Sequence, residues 1–93
     1  MEDRVMIRVV VYSSGDACMQ CRMTERLMEA AGLVFERIDL SDPANAWHLA
    51  HVLRDLGYSS APVVEVAGGT HWAGFRPDCI GELVARLDVA RER

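Results

Sequence analysis

The sequence predicts a mixed α/β domain in which a four-stranded sheet packs against three helices. Three observations predict it. Short β-branched apolar runs alternate with segments of helical apolar spacing, glycine or proline marks most boundaries, and a Gly-Gly pair separates the last two strands. The element order is β-α-β-α-β-β-α, so the first β-α-β unit predicts two parallel strands joined by a right-handed crossover. The closing hairpin adds antiparallel strands, and a single domain over residues 1–93 accounts for the chain.

The first half of the chain predicts a strand, a helix and a second strand. Residues 5–12 are apolar and rich in valine, which is typical of a buried strand. Residues 18–31 suit a helix that ends at Gly32. Its apolar residues at helical spacing are Met23, Leu27, Ala30 and Ala31. Residues 33–40 alternate in polarity, which predicts the second strand.

The second half predicts a helix, a hairpin and a final helix. Asp42 and Pro43 suit a helix start, and Gly57 ends the segment. The stripe expected to face the sheet is Ala46, Leu49, Ala50, Leu53 and Leu56. Residues 59–67 and 70–75 predict the third and fourth strands, and residues 76–90 the last helix, with Pro77 at its first turn. The apolar stripe of that helix is Ile80, Leu83, Val84 and Leu87.

Composition and charge exclude several classes of function. The net charge is −4 and there is no basic cluster, so we expect no nucleic-acid binding. No apolar run approaches the roughly 20 residues of a membrane span, so we expect no membrane partner. The acidic start runs directly into a strand, which is not typical of a secretory signal, and we expect a cytoplasmic location. Three cysteines in such a chain do not indicate a disulfide framework.

The pair Cys18 and Cys21 lies at the junction between the first strand and its helix. Residues three apart on a helix face the same way, so the two thiols are close enough for a disulfide. The helix N-terminus stabilises a thiolate, and Arg22 adds positive charge, whereas Asp16 opposes it. We therefore expect Cys18 to be the attacking thiol and Cys21 the more buried resolving thiol.

The dipeptide Ala61-Pro62 precedes a buried strand, where a trans proline is usually confined to a sheet edge. We expect a cis bond here. Such a bond would expose the backbone of Ala61 beside the cysteines, where it could pair with an extended substrate segment.

Three motifs together resemble those of the NrdH-redoxins, which are glutaredoxin-like members of the thioredoxin superfamily. The motifs are "CMQC" at 18–21, "APVV" at 61–64 and "HWAGFRPDCI" at 71–80, with Tyr12 six residues before the first cysteine. The last is similar to the family signature W-S-G-F-R-P-D/E and differs from it at Ala73.

The resemblance implies a thioredoxin fold and a thiol-disulfide oxidoreductase. Cys18 and Cys21 would form the redox pair, Pro62 would be the cis-proline, and no cofactor would be bound. The client would be class Ib ribonucleotide reductase, and electrons would come from NADPH through thioredoxin reductase. No feature predicts an obligate interface, so we expect a monomer.

Several residues around the pair are candidates for substrate or partner contact. They are Met19, Gln20, Ala61, Pro62, Trp72, Phe75 and Arg76. Trp72 and Phe75 could equally pack in the core, and Arg76 could have a structural role. We expect Cys79 to be an inert small residue. Thr24 is expected to face outward near the motif, with a packing role as an equal alternative.

Two alternatives to this function remain open. The first is a glutathione-dependent glutaredoxin, although "GFRPD" places the bulk of Phe75 and the charge of Arg76 where glutaredoxins have a Gly-Gly followed by acidic residues. The second is a zinc-binding interaction module in which His48 and His51 complete a set with the cysteines. The 26 residues between Cys21 and His48 exceed the roughly 12–15 of zinc fingers, so redox chemistry is favoured.

Overall fold

A computed structural model describes the backbone of residues 8–91 and the side chains of residues 8–87. Its sheet has four strands in the order β2-β1-β3-β4. They are β1 (Val9–Ser13), β2 (Glu36–Asp39), β3 (Val63–Val66) and β4 (Thr70–Ala73). β1 pairs in parallel with β2 and antiparallel with β3, and β3 pairs antiparallel with β4. The predicted mixed sheet is confirmed, and residues 5–7 of the predicted first strand lie outside the described residues.

Two long helices and one composite segment surround this sheet. They are α1 (Met19–Ala30), α2 (Ala46–Ala50) and α3 (Pro77–Arg91), and α2 is preceded by a 3₁₀ turn (Pro43–Asn45) and followed by a π-helical segment (His51–Leu56). Asp42 caps the 3₁₀ turn through the Ala44 N–H at 2.9 Å, and Gly57 ends the π segment with a left-handed φ of 80°. Both boundaries agree with the predicted start and stop.

The buried stripe of this second helical segment differs from the prediction. Leu49 and Leu53 are exposed, whereas the predicted Leu56 is half-buried and packs against the core of this face. The fully buried residue of the segment is Val52, which was not in the predicted stripe. A π-helix forms i→i+5 hydrogen bonds, so its side chains do not follow the period of 3.6 from which the stripe was predicted. Of the stripe predicted on α1, Leu27 packs against the core, whereas Met23, Ala30 and Ala31 are exposed. The buried residues of α1 are Cys21, Thr24 and Met28.

The two faces of the sheet carry separate cores. On the face covered by α1 and α3 the buried cluster comprises Val9, Val11, Met28, Leu33, Val64, Val66, Trp72, Ile80, Leu83 and Leu87. On the face covered by the π segment it comprises Val10, Tyr12, Ile38, Val52 and Val63. The alternation of β1 between the two clusters follows the period of two of a strand. This is the thioredoxin-like arrangement that the sequence predicted.

No helix within residues 8–91 combines the length and the apolar character that crossing a membrane requires.

Candidate active site

Cys18 and Cys21 are joined by a disulfide at the start of α1, with their Cα atoms 5.2 Å apart. Cys18 is the N-cap residue, and its Sγ accepts a hydrogen bond from the Cys21 N–H at 3.2 Å. Cys18 is half-buried, whereas Cys21 is only 1% exposed. The two cysteines therefore differ in access to solvent, although they belong to one turn of helix.

A tight turn between β1 and α1 places Cys18 at the helix start. Gly15 has a φ of +113°, which is strained for any side-chain-bearing residue. Its N–H donates to Ser13 Oγ at 3.1 Å, and its carbonyl accepts from the Cys18 N–H at 3.2 Å. The chain thus reverses within five residues of the end of a buried strand.

The other two motifs meet beside this turn. The Ala61-Pro62 bond is cis, as the sequence predicted. The Pro62 carbonyl accepts from the Gly74 N–H at 2.8 Å, and Gly74 itself has a φ of +87°. A Cβ at Gly74 would lie 3.9 Å from Gln20 Oε1, so this glycine lies against the first turn of α1, between the two cysteines. The structure therefore brings "CMQC", "APVV" and "HWAGFRPDCI" into one constellation.

Comparison with known proteins agrees with this geometry. The glutaredoxin family model matches residues 9–72. The glutaredoxin-like protein NrdH of Escherichia coli (strain K12) is 42% identical over 77 residues, which cover 83% of this chain and 89% of that protein. The chain belongs to the glutaredoxin family and is of the NrdH type.

Solved structures give the same result. The NrdH-redoxin of Escherichia coli, described as having a thioredoxin-like activity profile, superposes with a TM-score of 0.67 at 42% identity, covering 82% of this chain and 93% of that one. A glutaredoxin from Archaeoglobus fulgidus, at 24% identity, shares the fold with a TM-score of 0.70 over 85% of this chain and 87% of its own. As an NrdH-type glutaredoxin, the chain is a thiol oxidoreductase, and Cys18 and Cys21 are its redox-active pair.

The NrdH signature segment runs from β4 to the start of α3 and contains one buried, one half-buried and one exposed side chain. Trp72 is 7% exposed and packs in the larger core cluster. Of the two roles considered for it, partner contact and core packing, the structure supports core packing. Phe75 is half-buried, and Arg76 is exposed. Arg76 forms a fork with the carboxylate of Asp78, with N–O distances of 3.1 and 2.9 Å. This hydrogen-bonded pairing lowers the pKa of Asp78.

The thiol of Cys79 lies next to that fork at the start of α3. Its side chain is half-buried and packs against the larger core cluster. Burial raises the pKa of Cys79, which favours the unreactive thiol form. These features agree with the inert role expected for it.

Thr24 does not face outward, and the structure supports the packing alternative given for it. The residue is 0% exposed, because position 24 lies one turn after Cys21 on the face of α1 that packs against the sheet. The signal in the sequence was the spacing of Cys21, Thr24 and Met28, at i, i+3 and i+7. It went unrecognised because a cysteine and a threonine do not count toward an apolar stripe.

On the opposite face of the sheet the structure forms a polar cluster that the sequence did not predict. Glu65 Oε1 accepts from the Tyr12 hydroxyl at 2.8 Å and lies 2.9 Å from His51 Nε2. His51 Nδ1 lies 2.8 Å from Asp55 Oδ2. The residues come from β1, β3 and the π segment, which are far apart in the sequence. No local motif therefore indicates the cluster.

The cluster shifts the titration of its members. The hydrogen bonds to Asp55 and Glu65 raise the pKa of His51. Burial works to raise the pKa of Glu65, but the hydrogen bonds from His51 and Tyr12 outweigh it and lower the pKa. Burial and the bond to Glu65 raise the pKa of Tyr12.

The two histidines of the zinc alternative belong to this face. The rings of His48 and His51 lie 6.1 and 6.2 Å from the Tyr12 ring. Within the described part of the chain, no group of three or more His, Cys, Asp and Glu side chains is arranged to hold a metal ion.

A groove extends from the active-site edge along the second helical segment. Its lining residues are Ser14, Leu40, Ser41, Leu49, Val52, Leu53, Tyr58, Ser59, Ser60 and Ala61. Ser14 follows β1 directly, and Ala61 precedes the cis-proline, so one end of the groove belongs to the active-site constellation.

Proposed function

We propose that this NrdH-type glutaredoxin is a dithiol electron donor for disulfides of client proteins. The observation that carries the proposal is the cysteine pair itself. A half-buried Cys18 caps a helix, and a buried Cys21 is bonded to it one turn later. This is the arrangement that a two-step exchange needs, with one sulfur accessible to a client and the other close behind it.

Exchange proceeds in two balanced steps. The Cys18 thiolate attacks one sulfur of the client disulfide, so a mixed disulfide forms and the other client sulfur leaves as a thiolate that takes a proton from solvent. Cys21 then attacks Cys18 Sγ as a thiolate. The Cys18–Cys21 bond forms, the bond to the client breaks, and the second client thiol is released. Two electrons pass from the pair to the client.

The local electrostatics support Cys18 as the first nucleophile. Its sulfur accepts the Cys21 N–H at 3.2 Å and lies at the positive end of α1, and both interactions stabilise a thiolate. Asp16, which would oppose this, pairs with Arg37 at 2.9 Å, so its charge is partly compensated.

The surface around the pair supports partner contact by most of the residues chosen from the sequence. Met19 is 64% exposed between the cysteines, and Gln20 is exposed beside it. Ala61 and Phe75 are half-buried at the same edge, and Arg76 is exposed. An exposed, flexible methionine suits contact with more than one partner surface. Pro62 and Trp72 are buried, and we propose that they act by shaping this surface from beneath.

The partners and setting follow from the NrdH type. We propose class Ib ribonucleotide reductase as the client, and NADPH acting through thioredoxin reductase as the source of electrons. The thioredoxin-like activity profile stated for the Escherichia coli protein supports that reductase. A cytoplasmic location, where thiols are kept reduced, and a monomeric state complete the proposal.

The direct test is insulin-disulfide reduction with NADPH and a thioredoxin reductase. Cys18→Ser should abolish turnover, since Cys18 is the half-buried member of the disulfide pair and Cys21 is only 1% exposed. Cys79→Ser is the matched control that should retain turnover, because Cys79 has no disulfide partner. Cys21→Ser should accumulate a mixed disulfide with the client, seen as an adduct on a non-reducing gel. Retained turnover in Cys18→Ser would contradict the proposed nucleophile.

Glutathione is the second candidate reductant, because the glutaredoxin family model covers most of the chain. The fork from Arg76 already occupies the carboxylate of Asp78 at the start of α3, which disfavours the binding of a further ammonium group there. We expect thioredoxin reductase to support much faster turnover than glutathione with glutathione reductase. Equal rates in the two assays would assign the protein to the glutathione-dependent class instead.

A further inference from the structure

Thr24 presents a buried hydroxyl that no described residue satisfies. Its Oγ1 is inaccessible to solvent and has no hydrogen-bond partner among the residues that the structure describes. A threonine in a helix ordinarily donates to the carbonyl three or four residues earlier, here that of Cys21 or Gln20. A buried polar group without a partner is costly, so its retention calls for a reason.

The nearest reactive group along the helix is the sulfur of Cys21. Cα–Cβ bonds in a helix tilt toward the N-terminus, so the Thr24 side chain is directed back over the turn that contains Cys21. Residues three apart have Cβ atoms about 5–6 Å from each other. Both residues lie on the buried face of α1.

The two sulfur atoms of the pair differ in the hydrogen bonds that they accept. Among the hydrogen bonds of the described residues, the Cys21 N–H donates to Cys18 Sγ, and none reaches Cys21 Sγ. Once the disulfide is reduced, Cys21 must carry a thiolate at a site that is 1% exposed. Burial without a donor disfavours that charge and would slow the resolving step.

We propose that Thr24 donates a hydrogen bond to Cys21 Sγ in the reduced protein and so promotes the attack of Cys21 on the mixed disulfide. The inference rests on the proposed function. The hydroxyl keeps its proton throughout, and the donated bond is given up as the Cys21 electron pair forms the bond to Cys18 Sγ. The client thiolate leaves with the electrons of the broken bond and takes its proton from solvent.

The expected size of the effect follows from the strength of such bonds. A hydrogen bond to a charged group is worth at least about 1.5 kcal/mol, or about tenfold in the thiolate population at a pH below the pKa of Cys21. The intrinsic nucleophilicity of a thiolate falls as its basicity falls, with a Brønsted coefficient of about 0.4–0.5. Each Cys21 thiolate therefore becomes about threefold less reactive. The net acceleration of the resolving step is about threefold.

The test compares Thr24→Val, which keeps the shape and removes the hydroxyl, with Thr24→Ser, which keeps the hydroxyl. All proteins carry Cys79→Ser so that only the pair reports. The pKa of Cys21 is read from thiolate ultraviolet absorbance in a Cys18→Ala background. We expect Thr24→Val to raise this pKa, with about tenfold fewer thiolates at a pH below it, and Thr24→Ser to retain the original value.

The resolving step is timed by stopped flow with the chromogenic disulfide of thionitrobenzoate. Attack by Cys18 releases the first thionitrobenzoate, and attack by Cys21 on the resulting mixed disulfide releases the second. Thr24→Val should slow the second release about threefold and leave the first unchanged. Its disulfide form should be at least as stable to urea as the parent, because an unsatisfied buried hydroxyl has been removed.

The outcomes separate this inference from the proposed function. A parent protein that gives no second release would contradict the dithiol mechanism itself. A parent that gives both releases, with Thr24→Val unchanged in both the second rate and the Cys21 pKa, would overturn the role of Thr24 alone. The same loss in Thr24→Ser and Thr24→Val would also overturn it, by assigning the effect to packing.

Discussion

The two faces of the sheet are built in different ways. The face under α1 and α3 is a continuous apolar core of ten buried residues. The face under the π segment has five, supplemented by the half-buried polar contacts of Tyr12, Glu65 and His51 and bordered by an open groove. One face therefore holds its helices by burial of apolar area, and the other holds its helical segment partly by hydrogen bonds.

The two faces also differ in what they support: the apolar face holds the active-site helix, and the polar face carries the groove. The apolar face supports α1, and with it the position of Cys18, Cys21 and Thr24, so its rigidity sets the geometry of exchange. The polar face carries the groove that begins at Ser14 and Ala61. Substitutions that remove side chains of equal size should consequently lower the free energy of unfolding by different amounts on the two faces.

The largest contrast should come from one substitution made on each face. Leu83→Ala on α3 removes a buried side chain and should lower the free energy of unfolding by about 2–5 kcal/mol, because a cavity remains. Leu53→Ala on the π segment removes a side chain that is 48% exposed and should change it by at most about 0.5 kcal/mol. Urea unfolding of the disulfide form measures both. Equal losses would contradict the division into a packed and an open face.

A smaller effect is expected from the polar contacts of the second face. Tyr12→Phe removes the hydroxyl that donates to Glu65 at 2.8 Å and keeps the ring in the core. Since Glu65 retains His51 as a partner, the loss should be about 1 kcal/mol in urea unfolding. Tyr58→Phe is the matched control, because its hydroxyl contacts His71 in an exposed position. A loss in Tyr58→Phe as large as that in Tyr12→Phe would show that burial of the contact is immaterial.

The same cluster predicts a pH dependence of stability. The folded-state pKa of His51 is raised by Asp55 and then Glu65, so its contribution is complete below the ordinary histidine value of about 6.5 and is lost as the pH rises through the raised pKa. The pKa of Glu65 is lowered, although burial opposes this, because His51 and Tyr12 donate to it. Its own contribution is therefore present above the ordinary carboxyl value and is lost as the pH falls through the lowered pKa.

The difference in unfolding free energy between the parent and His51→Gln isolates the histidine. It should be largest at mildly acidic pH and should decline toward pH 8. His48→Gln is the control, because His48 lies against the same Tyr12 ring but forms no ion pair with a described residue. Asp55, His48 and His71 also surround the cluster. The pH dependence of the His51→Gln difference is therefore compared with that of the His48→Gln difference. A difference that is constant across the range would contradict the assigned contacts.

The strands and the cysteine pair could largely be predicted from the sequence, whereas the buried side of α1 and the polar face could not. β-branched runs, the cysteine pair and the proline before β3 each act through local chemistry, so they predicted the strands, the start of α1 and the cis bond. The buried stripe of the second helical segment was predicted with 3.6 residues per turn, a period that the π segment does not follow. The Tyr12–Glu65–His51 contacts join residues up to 53 positions apart, and no local pattern encodes such a meeting. Thr24 is intermediate between the features that a local pattern predicts and those that it does not. Its spacing from Cys21 fits a buried helix face, but a threonine is not counted as apolar.

The smallest expected effect concerns a polar contact on the apolar face. Arg37 of β2 reaches Glu25 of α1 at 3.1 Å and Asp16 of the active-site turn at 2.9 Å, but its side chain is 40% exposed. Exposed ion pairs contribute little and are screened by salt, so Arg37→Ala should cost about 0.5 kcal/mol or less, and less still at high ionic strength. Urea unfolding at two salt concentrations measures this, with Arg8→Ala as the control, because its pair with Glu36 is also exposed. A salt-independent loss as large as that in Tyr12→Phe would mean that Arg37 contributes to packing, and that the two faces share their polar stabilisation more evenly than their burial indicates.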